Sequence, residues 1–177
     1  MKDYIMTKLD STTELLQYFT GSTTTTQATR QYAATNIGVG LSVGDKLVVA
    51  GFSNVASNGT KTIATVATDA ITVEEAIGAG EAGVTATFNQ EYQGVWVDVR
   101  KWAKLTGSIN TSGAAYVYID QSADGLNVDY TTTRTITGGT ADSWSIETVL
   151  PNIRMRIRAN AIDQTVMRAY LYGRIIT

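Results

Sequence analysis

The chain has 177 residues and a formal net charge of −2, from 14 basic and 16 acidic side chains. It contains neither cysteine nor histidine, which excludes disulfides, the usual zinc sites, cysteine nucleophiles and Ser-His-Asp triads. The near-neutral charge gives no overall attraction for nucleic acid, and no apolar run is long enough to span a membrane. The remaining functions are catalysis by carboxylate, lysine or tyrosine side chains, or a role without catalysis.

Residues 1–21 predict an N-terminal arm. Their apolar side chains follow neither helical spacing nor strict alternation, although STTELLQYF from Ser11 has the capping pattern of a short helix. The arm either packs on its own domain as a terminal strand or helix, or docks on a neighbouring subunit, because apolar termini are usually tied down. The segment lacks the apolar run of a signal peptide, so we expect no secretion. The candidate interaction residues of the arm are Tyr4, Leu15, Leu16, Tyr18 and Phe19.

A small β-module is expected at residues 37–88, after a threonine-rich edge strand or linker at residues 22–36. The stretches DKLVVAGF, KTIATVATD, AITVEEA and VTATFN predict four strands, and Asn58-Gly59 favours a tight turn between the first two. Short strands joined by glycine or asparagine turns are typical of a small barrel of the SH3-like or OB-like kind.

Residues 89–177 predict an antiparallel, jelly-roll-like β-sandwich with five or six strands. In IRMRIRA, Arg154, Arg156 and Arg158 alternate with apolar residues, so one face of this strand is cationic. The expected fold class is therefore all-β, with an N-terminal arm, a small barrel module and a sandwich.

The arginine row of IRMRIRA, with Arg168 and Arg174 as candidate extensions, has three interpretations. It forms ion pairs within the chain, it lies at an interface between subunits, or it binds an anion such as nucleic acid. Like charges on one strand repel each other unless acids lie opposite, which favours the first interpretation. Nucleic acid is disfavoured because stacking aromatics and a basic excess are not evident. The candidate acids are Asp98, Asp120, Glu147 and Asp163.

Other polar clusters have structural interpretations. The loop DQSADGLNVD has oxygen ligands for Ca²⁺, but its spacing departs from the EF-hand, and a hairpin with Asp124-Gly125 at its tip is favoured. Glu74 and Glu75 are adjacent, so they point to opposite faces of a strand and cannot form a catalytic carboxylate pair. We expect no catalytic residue, cofactor or metal site. The aromatic residues of the second half predict core or interface positions, with a glycan-binding groove as the alternative.

Two stretches resemble bacteriophage structural proteins. VGDKLVVAGFSNVASNGTKTIATVATDAITVEE resembles a small β-module that recurs in structural proteins of tailed bacteriophages. VYIDQSADGLNVDY followed by LPNIRMRIRANA is similar in outline to β-sandwich domains of phage virion proteins, although such a hairpin also occurs in carbohydrate-binding sandwiches. Together the two resemblances cover most of the chain from residue 41 onward.

The resemblance implies a non-enzymatic virion structural protein, such as a capsid decoration (cement) protein that binds and stabilises the phage head lattice. A tail, neck or fibre-adaptor component is one alternative, and a glycan-binding β-sandwich module is another. The implied partners are the major capsid protein or other virion subunits, with no nucleic acid or membrane partner. A homo-oligomer is expected, with a trimer favoured because closed symmetry satisfies identical interfaces. The protein would be assembled into the virion in the bacterial host cytoplasm.

Overall fold

The computed structural model describes residues 4–13, 15–139, 141–160 and 164–176; at residues 4, 5 and 176 it describes the backbone alone. Within these ranges the protein is all-β, as predicted, and its strands pair in antiparallel fashion. Two short 3₁₀ turns lie at Gln27–Thr29 and Val55–Ser57. No helix in the described part of the chain is long and apolar enough to cross a lipid bilayer. The strands are β1 (Tyr4–Thr12), β2 (Tyr18–Thr26), β3 (Gln31–Ala33), β4 (Lys46–Ala50), β5 (Gly59–Ala67), β6 (Ala70–Val73), β7 (Val84–Gln93), β8 (Val97–Asp98), β9 (Lys104–Thr111), β10 (Ala115–Ser122), β11 (Tyr130–Ile136), β12 (Ala141–Ile146), β13 (Asn152–Ala159) and β14 (Met167–Ile176).

The chain divides into two compact units, one formed by Leu16–Glu91 and the other by Met1–Leu15 together with Tyr92–Thr177. The first unit is a closed six-stranded barrel, in which β2, β3, β6, β5, β4 and β7 pair in that order and β7 returns to β2. Its core contains the rings of Tyr32, Phe52 and Phe88, and the centroids of Tyr32 and Phe88 lie 5.2 Å apart in an edge-to-face arrangement.

The barrel is larger than the module expected at residues 37–88. The strands β2 and β3 come from the segments expected to be the arm and an edge strand or linker. They are required because β4, β5, β6 and β7 alone leave a gap between β6 and β7, and the β2–β3 hairpin pairs with both of those strands. Ring closure removes the sheet edges that an open four-stranded module exposes.

The second unit is a sandwich of two sheets. One sheet has the order β1-β14-β9-β12. The other has the order β11-β10-β13. On the side away from β10, β13 pairs with β8. It also lies next to β7, whose last two residues belong to this unit. Alternate residues of β9, β10, β13 and β14 are buried, which places the core between the two sheets.

This strand arrangement agrees with the expected jelly roll. From β9 to β14 only the β10–β11 hairpin connects neighbours in one sheet, and each other connection crosses between the sheets. Eight strands in two such sheets are characteristic of jelly rolls. In chain order, the barrel is inserted between the first and second strands of the sandwich.

The expected N-terminal arm of residues 1–21 is divided between the two units. Within it, β1 pairs with β14 along its whole length and forms the edge of a sandwich sheet. The possible helix in STTELLQYF is wrong, because Tyr18 and Phe19 begin a barrel strand. Pairing of β1 with a strand of its own unit satisfies its backbone groups on that side, which supports packing on the parent domain.

Candidate interaction surfaces

Two arginines of β13 converge on one buried carboxylate. The Nε atoms of Arg154 and Arg156 lie 2.9 and 2.6 Å from Oδ2 of Asp120, whose side chain has no exposed surface. Thr131 donates its hydroxyl to Oδ1 of Asp120 at 2.9 Å. Burial raises the pKa of Asp120, but hydrogen bonds from Arg156, Arg154 and Thr131 outweigh burial and hold this pKa below its ordinary value. Intramolecular pairing, the interpretation favoured from the sequence, is therefore present at Asp120.

The other acids considered from the sequence do not serve the arginine row in this way. Asp98 is paired with Arg100, whose hydrogen bonds lower the pKa of Asp98 to about 2. Glu147 is exposed and forms no ion pair with a described residue. Asp163 lies outside the described residues. One acid on the neighbouring strand, Asp120, thus pairs with two of the three arginines.

Aromatic rings lie over the same guanidinium groups. The Cζ atom of Arg154 is 4.6 Å from the ring centroid of Trp96, and that of Arg156 is 4.8 Å from the centroid of Tyr118. Arginine above an aromatic face is attracted by the ring quadrupole and loses conformational freedom. Arg154 and Arg156 are therefore fixed both by a carboxylate and by rings.

Arg158, at the end of the row, differs from its neighbours. It has no carboxylate partner among the described residues, and its Cζ lies 5.4 and 5.3 Å from the ring centroids of Tyr116 and Tyr118. One Nη atom donates to the hydroxyl of Tyr118, while the buried Nε–H has no acceptor. Buried donors without acceptors are uncommon in folded proteins, so Arg158 keeps an unmet capacity to bind an acceptor.

The candidate residues of the N-terminal segment are dispersed. Leu16 is completely buried and is not accessible to a partner, whereas Leu15 is 45% exposed. Tyr18 is half-buried, and Phe19 packs against the barrel core. The side chain of Tyr4 lies outside the described residues, so the candidate interaction site at Tyr4 stays a prediction. These residues do not form one exposed apolar stripe, because Leu16 and Phe19 serve the interior.

The proposed extension of the arginine row is wrong. Arg168 and Arg174 lie on β14, which belongs to the sheet β1-β14-β9-β12, whereas the row on β13 belongs to the other sheet of the sandwich. Period-two alternation indicates which face of one strand is cationic, but it does not indicate which strands share a sheet.

A cleft of about 550 Å³ opens between the edge strands β11 and β12. Tyr130 contributes from β11 and Trp144 from β12. The ring of Trp144 lies across Gly107, where an added Cβ would be 2.5 Å from the ring, so a glycine is required there. Gln121 accepts the backbone N–H of Val149 at 2.8 Å and holds the adjoining loop in place.

Exposed apolar side chains lie at this end of the sandwich: Tyr130 and Val149 line the cleft, and Leu126 and Val128 belong to the loop that precedes Tyr130. Leu126 is 80% and Val149 75% exposed, and Val128 and Tyr130 are about half exposed. Asn152 donates to the carbonyl of Ser122 at 3.3 Å, which joins the β10–β11 loop to the start of β13. We call Leu126, Val128, Tyr130 and Val149 the apolar end of the sandwich. The sequence did not single out this cluster, because its members lie in two loops and one edge strand.

The β10–β11 loop forms the expected hairpin. Oδ1 of Asp124 accepts the backbone N–H groups of Leu126 and Asn127 at 2.8 and 2.9 Å, and Gly125 has a positive φ of 74°. These hydrogen bonds hold the pKa of Asp124 far below its usual range. Among the described residues, no group of three or more acidic side chains is placed to hold a metal ion.

No family model and no curated protein matches the sequence. The fold and the surfaces described above therefore carry the functional argument.

Proposed function

We propose that the chain is a non-enzymatic virion structural protein of the capsid decoration type, which binds a phage head lattice and stabilises it. The observation that carries the proposal is the apolar end of the sandwich. Four large apolar side chains are exposed there: Tyr130 and Val149 line the cleft, and Leu126 and Val128 lie in the loop that precedes Tyr130. Clustered apolar exposure of this kind marks surfaces that a partner covers.

Two further features support a binding role. Jelly rolls are common among viral capsid domains. The arginines and the carboxylate that cluster on β13 and β10 hold each other and nearby rings, so they act as structural groups rather than as an acid–base pair facing a cleft. Burial of the apolar end against the major capsid protein would stabilise each lattice site, and closed symmetry such as a trimer would repeat the contact.

Co-sedimentation of the purified chain with expanded empty capsids of the parent phage tests this proposal. The expected result is saturable binding at a fixed ratio to the major capsid protein. The double variant Leu126→Ser/Val149→Ser should bind at least about tenfold more weakly, since each change removes an apolar side chain from the contact. The matched control is Val43→Ser/Val55→Ser, which changes two exposed valines of the barrel and should bind normally. Equal binding by all three proteins would reject the apolar end as the docking surface.

Absence from capsid shells combined with a signal at the tail or at one vertex would move the protein to a tail, neck or fibre-adaptor role. Cryo-electron microscopy of the native particle separates these positions directly. Absence from the whole particle would contradict a virion role.

The cleft between β11 and β12 favours a glycan-binding module as a second candidate. Aromatic side chains suit the apolar face of a sugar ring, and Tyr130 and Trp144 stand on its two sides with the exposed carboxylate of Glu147 nearby. A glycan array tests this function. Tyr130→Ala should abolish a specific signal, and the barrel variant Val55→Ser should retain it; an array without signal would leave this candidate without support.

A further inference from the structure

We propose that the outer face of the sheet β1-β14-β9-β12 is a docking surface for an acidic protein partner. This inference rests on the proposed structural role and names the chemistry of a second contact, separate from the apolar end. The register of the four strands determines which side chains share the outer face.

Basic side chains occupy this outer face. Arg168 and Arg174 alternate with buried residues of β14, Lys104 lies opposite Arg174 on β9, and Lys8 lies opposite Tyr172 on β1. No acidic residue occupies an outward position of these strands within the described ranges. The two described acids of the sheet, Asp10 and Asp142, lie opposite the buried Leu171 and Ile109.

Both acidic residues described in these strands have partners of their own. Asp10 accepts the hydroxyl of Tyr92 at 2.7 Å and lies opposite the buried Leu171. Asp142 is paired with Arg134. Among the described residues, neither carboxylate pairs with Lys8, Lys104 or Arg168.

The register places like charges side by side. Arg174 and Lys104 are direct cross-strand partners. Like charges in this arrangement need a counter-charge nearby. Lys8, Lys104 and Arg168 form no ion pair among the described residues, so a partner's carboxylates would supply one.

The side chains between the cations are those of a protein interface. Tyr170 and Tyr172 stack on each other at the centre of the face, with centroids 5.8 Å apart and planes inclined by 25°. Ser108 and Ser11 lie opposite Tyr170 on its two sides, and Ser143 lies opposite Ser108. Tyrosine and arginine are enriched at the energetically important centres of interfaces.

An acidic protein fits these observations better than nucleic acid does. The tyrosines use their faces on each other, whereas base stacking needs aromatic faces open to the base. A shallow depression of about 320 Å³ lies beside Arg168, with Ser143 and Tyr170 on its sides and the paired Asp142 at its margin. A single carboxylate side chain of a partner can enter it and meet Arg168.

The face is small for an interface. Four strands and four outward positions per strand cover about 14 by 20 Å, or about 300 Å², below the roughly 800 Å² that one partner contributes to a stable complex. Single contacts should therefore be weak and sensitive to salt. Many copies on a repeating lattice would add up to firm attachment.

Binding of the full chain to immobilised poly-L-glutamate tests the inference, with poly-L-lysine and duplex DNA as comparison surfaces. The chain should bind poly-L-glutamate at 50 mM NaCl, and its affinity should fall about tenfold at 200 mM NaCl because salt screens exposed charges. Lys104→Ser/Arg168→Ser should weaken binding by a further factor of about ten. The matched control is Arg100→Ser/Lys101→Ser, which removes the same charge from the β8–β9 loop and should change binding less than twofold.

Failure to bind poly-L-glutamate, or equal losses in both double variants, would overturn the inference. Tighter binding to DNA through the same residues would also overturn it, in favour of a phosphate polymer. The capsid assay separates this inference from the proposed function. Normal capsid binding by Lys104→Ser/Arg168→Ser rejects the basic face as a docking surface and leaves decoration intact, whereas poly-L-glutamate binding without capsid binding supports the face and rejects decoration.

Discussion

Replacing Asp120 by asparagine should destabilise the sandwich by about 2–3 kcal/mol at pH 7. Removing one partner from a buried ion pair usually costs about 3–5 kcal/mol. The loss should be smaller here, because the side chains of Arg154 and Arg156 are 16% and 21% exposed and can recover some hydration. Asparagine also keeps the shape of the side chain and one acceptor oxygen.

The pH dependence follows from the lowered pKa of Asp120. Its stabilising effect is fully present above the unfolded-state pKa, about 3.9, and is lost as pH falls through the folded-state value. Below pH 3.9 the unfolded chain binds a proton more readily than the native carboxylate does, so the free energy of unfolding falls. The wild-type advantage over Asp120→Asn should therefore shrink between pH 7 and pH 3.

Urea denaturation followed by tryptophan fluorescence measures this difference. Trp96, Trp102 and Trp144 all belong to the sandwich, so their emission reports that unit. The control Asp142→Asn breaks the partly exposed pair with Arg134 and should change stability by about 0–1 kcal/mol. A loss for Asp120→Asn no larger than that of the control, or a difference that does not change between pH 7 and pH 3, would refute the reasoning.

Three further changes test the barrel by urea denaturation followed by circular dichroism. Leu16→Ala should lower the free energy of unfolding by about 2–5 kcal/mol because the side chain is completely buried. Leu15→Ala is the control and should be nearly neutral, because Leu15 is partly exposed. Equal effects would contradict the burial assigned to Leu16. Gly51→Ala should destabilise the protein more than Gly44→Ala does. Both glycines have positive φ, but a Cβ at position 51 would also lie 2.7 Å from a backbone oxygen. A larger loss of stability for Gly44→Ala would reject that contact. Tyr32→Phe should lose about 1–2 kcal/mol because a buried carbonyl loses its 2.7 Å hydrogen bond; an unchanged stability would show that water replaces the hydroxyl.

The features predicted from sequence are those set by short-range patterns. Alternation along IRMRIRA identified a strand with an arginine face, and like-charge repulsion required an acid opposite, which is Asp120. Asp124-Gly125 identified a hairpin because both residues favour tight turns locally. Neither inference depends on knowing which distant strands are neighbours.

The barrel boundaries could not be predicted in the same way. β2 pairs with β7, and Tyr18 lies opposite Asn89, so the partner of a threonine-rich strand is about seventy residues away in the chain. Threonine-rich segments have strand propensity in linkers and in barrels alike, and tertiary pairing decides between them. The sequence therefore predicts only an edge strand or a linker at residues 22–36, because it has no local signal for ring closure.

The basic outer face could not be predicted for the same reason, and also because net charge is a sum over the whole chain. Its cations come from β1, β9 and β14, and each of them alone is an ordinary strand-surface residue. The net charge of −2 also conceals it, because Leu16–Glu91 carries three basic and six acidic residues and so lowers the sum for the whole chain. Net charge describes long-range attraction of the whole molecule, whereas docking depends on the charge of one face within a Debye length of about 10 Å. A nearly neutral chain can therefore present a surface suited to an acidic partner, and the poly-L-glutamate experiment measures that local property directly.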